Sequence, residues 1–435
     1  MNTAEFLKHD ISRRQFLGSS AANAAGVAVG MVGVGMAARS ESSSAAECVR
    51  FGVIGVRSQG LKLAKTFAGL RDVDVAALCD VDEGVLAEAA RAVEAEAGQK
   101  RPPAMFRDFR RLLDDPTIDA VAVATPDHWH AIMTETACAA GKDVYVESPL
   151  THSPAEAKRI IAAAEDNRRV IQCGLQQRSG GHFRTAVEYV RSGKLGTVRM
   201  ARAWCVHRRK PIAAKADVPT PAGVDYNLWL GPAPRRSFNP NRFHHNWRWY
   251  WDYGTGELGN WGVHLLDVAR WGLNVELPER IASTGGNHYF KDDRETPDTQ
   301  LVHFTYPGRT IVWEHRLWSG HGMEGRSAAC AFYGERGTLI LDRGGWKVYG
   351  GQQTAVEAPS ELNEAHCRDF IDSVKSRSIP SADARTADVS STLCHLGNIA
   401  QRVGREVVFD ATAGRFPNDA AANALLETRS CKPWG

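Results

Sequence analysis

The sequence predicts an α/β chain in two parts: an N-terminal Rossmann-type doubly wound parallel sheet, then a C-terminal α+β domain on an open, largely antiparallel sheet. Three observations predict it. Short apolar runs alternate with amphipathic ones from residue 50 to residue 174, the pattern of β-α-β units whose strands are buried on both faces. The first apolar run ends in a glycine-bounded turn. From about residue 198 the pattern changes to runs joined by Pro-Gly and Gly-containing turns, the signature of hairpins.

The first unit carries the strongest signal. Residues 51–54 form a buried strand, Gly55 to Gly60 interrupt it, and 61–67 continue as an amphipathic helix. A turn at a helix N-terminus offers free N–H groups and the positive end of the dipole to a pyrophosphate, and glycine lets the phosphate approach the backbone. Gly55, Arg57, Ser58, Gln59 and Gly60 are therefore candidate cofactor-binding residues. The next strand, 73–79, ends at Asp80, twenty residues after Gly60, where a carboxylate can accept hydrogen bonds from both hydroxyls of an adenosine ribose. A 2′-phosphate would meet its charge, so NAD is expected over NADP. The turn departs from G-x-G-x-x-G in one place, Arg57, which stands where the second glycine belongs.

A helix over 84–97 and a short one ending at Asp115-Pro116 lead to a strand over 118–124. That strand runs into Thr125-Pro126-Asp127-His128-Trp129-His130, at the carboxyl edge of a parallel sheet where ligands bind. Two histidines flanking a tryptophan, without a cysteine or carboxylate pattern beyond Asp127, point to packing against the nicotinamide half of a cofactor and to no metal. Thr125, Pro126, His128 and His130 join the cofactor candidates. A helix over 132–140 and a strand over 144–147 follow, ending at Glu147-Ser148-Pro149. A helix over 154–167, a strand over 169–174 and the polar run Gln176-Gln177-Arg178 complete the domain.

In the second part, strands are expected at 198–206, 300–306, 311–314, 331–333 and 339–341. The aromatic segment 243–251 lies between them and precedes a helix beginning near Asn260. On that helix Asn260, His264 and Asp267 stand at i, i+4 and i+7, one polar stripe beside an aromatic loop, where a His-Asp pair can orient an imidazole for proton transfer. The same pair also suits a histidine satisfied in the core. Two amphipathic packing helices follow, around Cys367 to Val374 and Val389 to Val403, and an irregular tail after Phe409.

Composition bounds the function. A net charge of +3, 43% hydrophobic and 24% charged residues describe an ordinary globular chain without a nucleic-acid footprint. Ser12-Arg13-Arg14-Gln15-Phe16-Leu17, a weakly hydrophobic run to Ala38 and the small-x-small site Ser44-Ala45-Ala46 read as a twin-arginine export signal, which predicts a periplasmic mature protein that is not held in the membrane. Nine cysteines without a C-x-x-C give no disulfide framework and no zinc ribbon. The expected divisions are 1–46 signal and linker, 48–174 dinucleotide domain, 175–410 substrate and oligomerisation domain, and 411–435 tail.

Taken together, GVIGVRSQG, TPDHWH, AGKDVYVESPLTHS, QQRSGGHF, DYNLWLGPAP, WDYGTGELGNWGVHLLDVARWGL and HLGNIAQRVG resemble the Gfo/Idh/MocA family of NAD(P)-dependent oxidoreductases, and in particular its exported members. The resemblance spans about residues 49–404. It implies a Rossmann domain, a C-terminal domain whose free sheet face makes dimers or tetramers, and sugar or cyclitol substrates. It implies that Glu147, Ser148 and Gln176 lie at the cofactor, that Gln177, Arg178, Trp247, Trp251, Tyr253 and His264 shape the substrate pocket, and that His264, oriented by Asp267 and accompanied by Asn260, moves the proton. One departure bears on activity: the family's E-K-P lysine is Ser148 here. Asn260 and Arg57 are further departures. Three functions are thereby expected in turn: an NAD-dependent sugar oxidoreductase, an enzyme that keeps NAD bound and uses transient oxidation for elimination or glycoside cleavage, and a redox-silent sugar-binding protein.

Overall fold

The computed structural model describes residues 48–96, 99, 101–350 and 356–427. The export signal and Cys431 lie outside the described residues. The N-terminal sheet is built from β1 (Val49–Ile54), β2 (Val73–Cys79), β3 (Ala104–Phe106), β4 (Ala120–Val123), β5 (Asp143–Val146) and β6 (Ile171–Cys173) in the order β3-β2-β1-β4-β5-β6, all parallel. The helices between them are α1 (Gln59–Ala68), α2 (Glu83–Glu94), α3 (Phe109–Leu113), α4 (His130–Ala139) and α5 (Glu156–Asn167). Strand order reverses between β1 and β4, so the carboxyl ends of these two strands open a crevice at the switch point. β1 and β4 are apolar throughout their inner positions because helices cover both faces. Asp82 caps α2 by accepting the Gly84 and Val85 N–H groups at 2.9 and 3.2 Å.

The C-terminal part begins with α6 (Gly181–Arg191) and β7 (Val198–Cys205), continues through α7 (Tyr226–Leu230) and α8 (Val263–Leu273), and then lays down β8 (Arg280–Gly286), β9 (Thr299–Tyr306), β10 (Arg309–Arg316), β11 (Ala328–Gly334), β12 (Gly337–Asp342), β13 (Gly345–Tyr349) and β14 (Val356–Glu357). α9 (Asn363–Ser376), α10 (Ala384–Val403), β15 (Val407–Val408) and α11 (Ala420–Asn423) close the described chain. Its nine strands run β14-β13-β12-β11-β7-β10-β9-β8-β15, with β7 and β10 parallel and the other pairs antiparallel. The expected fold class is the observed one.

Three local expectations change. The tail is not irregular throughout: Asp419 accepts the Ala422 N–H at 3.0 Å and starts α11, which buries Ala422. The helix expected from Asn260 starts with a π turn, Leu258–Gly262, before α8. The dinucleotide domain expected over 48–174 also receives α9, which packs back onto it from the far end of the chain. Phe370 packs edge-on against Phe51, Phe67 and Tyr145 at 6.2, 6.3 and 5.9 Å, while Arg368 holds Asp72 and Arg377 holds Asp143, each at 2.6 Å. Among the described residues the eight cysteines are unpaired, and no helix is long and apolar enough to cross a membrane.

Candidate active site

The glycine turn is shaped by what a side chain would strike. A Cβ on Gly60 would lie 1.7 Å from the Gly55 carbonyl oxygen, and one on Gly55 would meet the Ala124 carbonyl at 2.8 Å, so both positions need glycine. Ser58 sits at φ 47°, a strained conformation of the kind that collects at ligand sites, and no side chain caps α1. The α1 amides are thus open to an anion, and the turn fits a dinucleotide pyrophosphate. Asp80 braces this turn: its carboxylate accepts the Val56 N–H at 3.0 Å and the Asp82 N–H at 3.1 Å. Burial raises its pKa against those hydrogen bonds.

A cleft runs over the turn. Its Rossmann side is lined by Gly55, Arg57, Ser58, Gln59, Asp80, Thr125 and Pro126, and its far side by Trp229, His244, His245, Trp247 and Arg248. That far side is tied down where the adenosine end belongs. Asp225 N donates to Val81 O at 2.9 Å, Glu83 N to Gly223 O at 3.1 Å, and the His244 ring meets the Asp82 carboxylate at 2.7 Å. The segment 221–248 is a strap from the C-terminal domain across the end of β2.

At the other end of the turn, Gln59 donates to half-buried Glu147 at 2.8 Å. Ser148 follows, and its Oγ lies 3.3 Å from His264 Nε2. The other ring nitrogen of His264 is buried and has no hydrogen-bond partner among the described residues. Burial first, then the Arg343 charge, pulls the His264 pKa down to about 3, against Asp267. The imidazole is therefore neutral and able to take a proton.

The polar stripe does not form as expected. Asp267 is fully engaged elsewhere: Arg178 holds both its oxygens at 2.7 and 2.8 Å and Ser390 donates at 2.6 Å. Burial would raise its pKa, but Arg178 and Arg270 outweigh this and keep it low. Asp267 makes no hydrogen bond to His264 among the described residues, and Arg178, stacked on Trp271 at 5.0 Å, is its ion-pair partner and does not line the nucleotide cleft. The π turn sends Asn260 another way, accepting from Arg248 at 3.0 Å and donating to Glu257 at 3.2 Å.

Other expected residues also move. His128 packs on Trp229 and Tyr253 with Nε2 3.1 Å from Trp229 O, and His130 lies between the Pro149 and Thr125 carbonyls at 2.7 and 2.9 Å. Both are buried props of the loop and neither lines the nucleotide cleft. Tyr253 is fully buried in that aromatic cluster. Gln176 turns to the Tyr145 hydroxyl at 3.3 Å. Trp251 leaves the cleft for a separate 520 Å³ cavity, where Arg402 stacks on it at 5.1 Å. Gln177 is buried with neither amide atom hydrogen-bonded among the described residues, as suits a ligand contact.

The fold also assembles what spacing hid. His244, His245 and Arg248 belong to the aromatic segment, and Arg343 comes from the β12–β13 turn. Cys205, His207 and Glu257 bring one possible metal-ligand atom each within 4.8 Å of the others. Arg209 occupies Glu257 at 2.7 Å, so a cation there would have to share its carboxylate with a guanidinium.

Family models decide what this architecture is. The oxidoreductase family model for the NAD-binding Rossmann fold matches residues 49–175, and the model of the same family's C-terminal α/β domain matches 204–289 and 345–435. The chain belongs to the Gfo/Idh/MocA family. Its N-terminal domain is the family's NAD-binding domain. An α-N-acetylgalactosaminidase of Shewanella oneidensis is 31% identical over 46% of this chain and 47% of its own length. A levoglucosan dehydrogenase of Pseudarthrobacter phenanthrenivorans is 28% identical over 41% of this chain and 42% of its own. The chain thus spans about half the length of the curated relatives it matches. Among solved structures, an aldose-aldose oxidoreductase from Caulobacter crescentus with glycerol aligns at TM-score 0.64 and 19% identity, over 83% of this chain and 100% of that one. A levoglucosan dehydrogenase with NADH and L-sorbose aligns at TM-score 0.64 and 17% identity, over 83% and 99%. These solved structures share the fold.

Proposed function

We propose that this Gfo/Idh/MocA protein is an NAD-dependent oxidoreductase acting on a hydroxyl of a sugar, cyclitol or sugar derivative, with His264 as the acid/base group. The observation that carries the reading is the Ser148–His264 contact of 3.3 Å, which puts a neutral imidazole at the end of β5, next to the Glu147–Gln59 link to the nucleotide turn. NAD, when bound, supplies a nicotinamide that accepts hydride. The residues of this chain do the rest. The Gly55–Gly60 turn and the uncapped α1 hold the pyrophosphate, Asp80 the adenosine ribose, and His264 Nε2 accepts the hydroxyl proton. Asp80 favours NAD over NADP by repelling a 2′-phosphate.

A second reading rests on the strap and on Ser148. With the lysine absent and the cofactor cleft closed by 221–248, the cofactor stays bound and returns to its starting state in each turnover, and the net reaction is elimination or glycosidic cleavage. The likeness to an α-N-acetylgalactosaminidase supports this reading. Incubating the purified protein with sugars and with aryl glycosides, while following NADH and the released aglycone separately, tests both. Net NADH supports the first reading, aglycone without NADH the second, and neither product overturns both.

A further inference from the structure

The wall around His264 carries more positive charge than its carboxylates balance. Trp261, on the π turn, gathers it. The His207 ring meets the indole edge-on at 4.6 Å, the Arg343 guanidinium carbon stands 4.9 Å from the ring centre, and the His264 ring lies at 6.4 Å. Arg343 and His264 therefore flank one indole.

Each neighbouring guanidinium has an account except this one. Arg209 is neutralised by Glu257 at 2.7 Å. Arg248 donates to Asn260 and to the His245 carbonyl, each at 3.0 Å, and lines the nucleotide cleft with Arg57, where a pyrophosphate brings negative charge. Arg343 has neither an ion pair nor a hydrogen bond among the described residues. Its position is fixed, because Asp342 accepts the Gly344 N–H at 2.7 Å and closes the turn that holds it at the tip. The Arg343 charge acts on His264 more strongly than the Asp267 carboxylate does, and it also acts on His207. The one carboxylate whose charge reaches Arg343 is Glu147, and burial favours its neutral form.

We propose that Arg343 selects the substrate: it receives the anionic group of an acidic sugar, a carboxylate or a phosphate, while the reacting hydroxyl of that sugar lies at His264. The proposal rests on the sugar-oxidoreductase reading above. Arg343 is exposed, with its guanidinium laid against the Trp261 indole, so its paired N–H donors stay free for a planar or tetrahedral oxyanion.

The test titrates the NAD-loaded full-length protein by calorimetry with D-glucuronate, D-glucose 6-phosphate and D-glucose, using wild type, Arg343→Gln and Arg343→Lys, with NAD affinity as the control for folding. Wild type should bind one of the acidic sugars at least about tenfold more tightly than glucose. Arg343→Gln should remove that preference while glucose and NAD binding stay unchanged, and Arg343→Lys should keep part of it. Glucuronate and glucose 6-phosphate distinguish a carboxylate from a phosphate. Glucose bound or oxidised as well as either acid, or a preference that survives Arg343→Gln, overturns the proposal and leaves the oxidoreductase reading standing. NAD binding without binding of any of the three sugars counts against both.

Discussion

At the scale of single residues, the site turns on a serine where the family resemblance implies a lysine and on a histidine that Asp267 does not hydrogen-bond. Ser148 cannot bring an ammonium to a developing alkoxide, and a positioned proton-transfer group is worth roughly 10² to 10⁴ in rate. Ser148→Lys should therefore raise NADH formation on a suitable sugar by about 10², and His264→Ala should reduce it to background in either form, both read from initial rates. Because the His264 pKa is near 3, its neutral form is complete well below neutrality, and kcat/KM should show no inflection from this group between about pH 5 and 8. Asp267 should behave differently from a catalytic group. Its buried pair with Arg178 holds α8 in place, so Asp267→Asn should lower stability by about 3 to 5 kcal/mol, measured by denaturant unfolding, with the pH profile of the remaining activity unmoved. Asp80→Ala should weaken NAD binding by about 1.5 to 3 kcal/mol in a fluorescence titration. Gly55, Gly60 and Asp80 were placed together by the sequence alone because they lie on one strand-turn-helix-strand, and the fold keeps them at one turn. Asp267 parts from His264 because Arg178 and Ser390 claim its carboxylate, and Asn260 parts from the stripe because it lies in the π turn Leu258–Gly262 that precedes α8. Arg343 carries no local signature at all, since only the sheet brings residue 343 to residue 264.

At the scale of elements, the strands and helices of the first domain were legible to within a few residues, except the short edge strand β3, because buried parallel strands read as unbroken apolar runs and β3 is largely exposed. The strap was not legible. It consists of a short helix, turns and one isolated bridge between Asp82 and Val224, and its meaning lies in contacts with β2 from about 140 residues away in sequence. Those contacts predict a kinetic effect. His244→Ala removes the 2.7 Å link to Asp82 while leaving the glycine turn intact, so NAD should dissociate several-fold faster in a ligand-chase experiment with a smaller change in its association rate. An unchanged dissociation rate would mean that the strap does not hold the cofactor in.

At the scale of the whole molecule, buried histidines dominate the response to acid. The pKa values of His128, His264 and His395 are drawn down to about 3 and those of His152 and His366 to about 4, in every case by burial first. A depressed histidine binds its proton in the unfolded chain before it does in the folded one, so stability is complete above about pH 6.5 and is lost as pH falls below it. Asp127 and Glu156, raised to about 7 by burial, work in the opposite sense and offset two of the five. Each uncompensated histidine should cost about 2 kcal/mol near pH 5, so the melting temperature should drop between neutrality and that pH, as calorimetry can show. The export reading makes its own prediction: replacing Arg13 and Arg14 by lysine should leave a full-length precursor in the cytoplasm, seen by fractionation, and normal export of that variant would dismiss the twin-arginine route. The return of α9 to the first domain has a consequence for the order in which the chain matures. The nucleotide-binding half leaves the ribosome first, yet the apolar face formed by Phe51, Phe67 and Tyr145 stays uncovered until Phe370 has been synthesised, more than two hundred residues after Tyr145. Nascent chains stalled before residue 363 should therefore be protease-sensitive and unable to capture NAD, and cofactor loading becomes one of the last events of synthesis instead of one of the first.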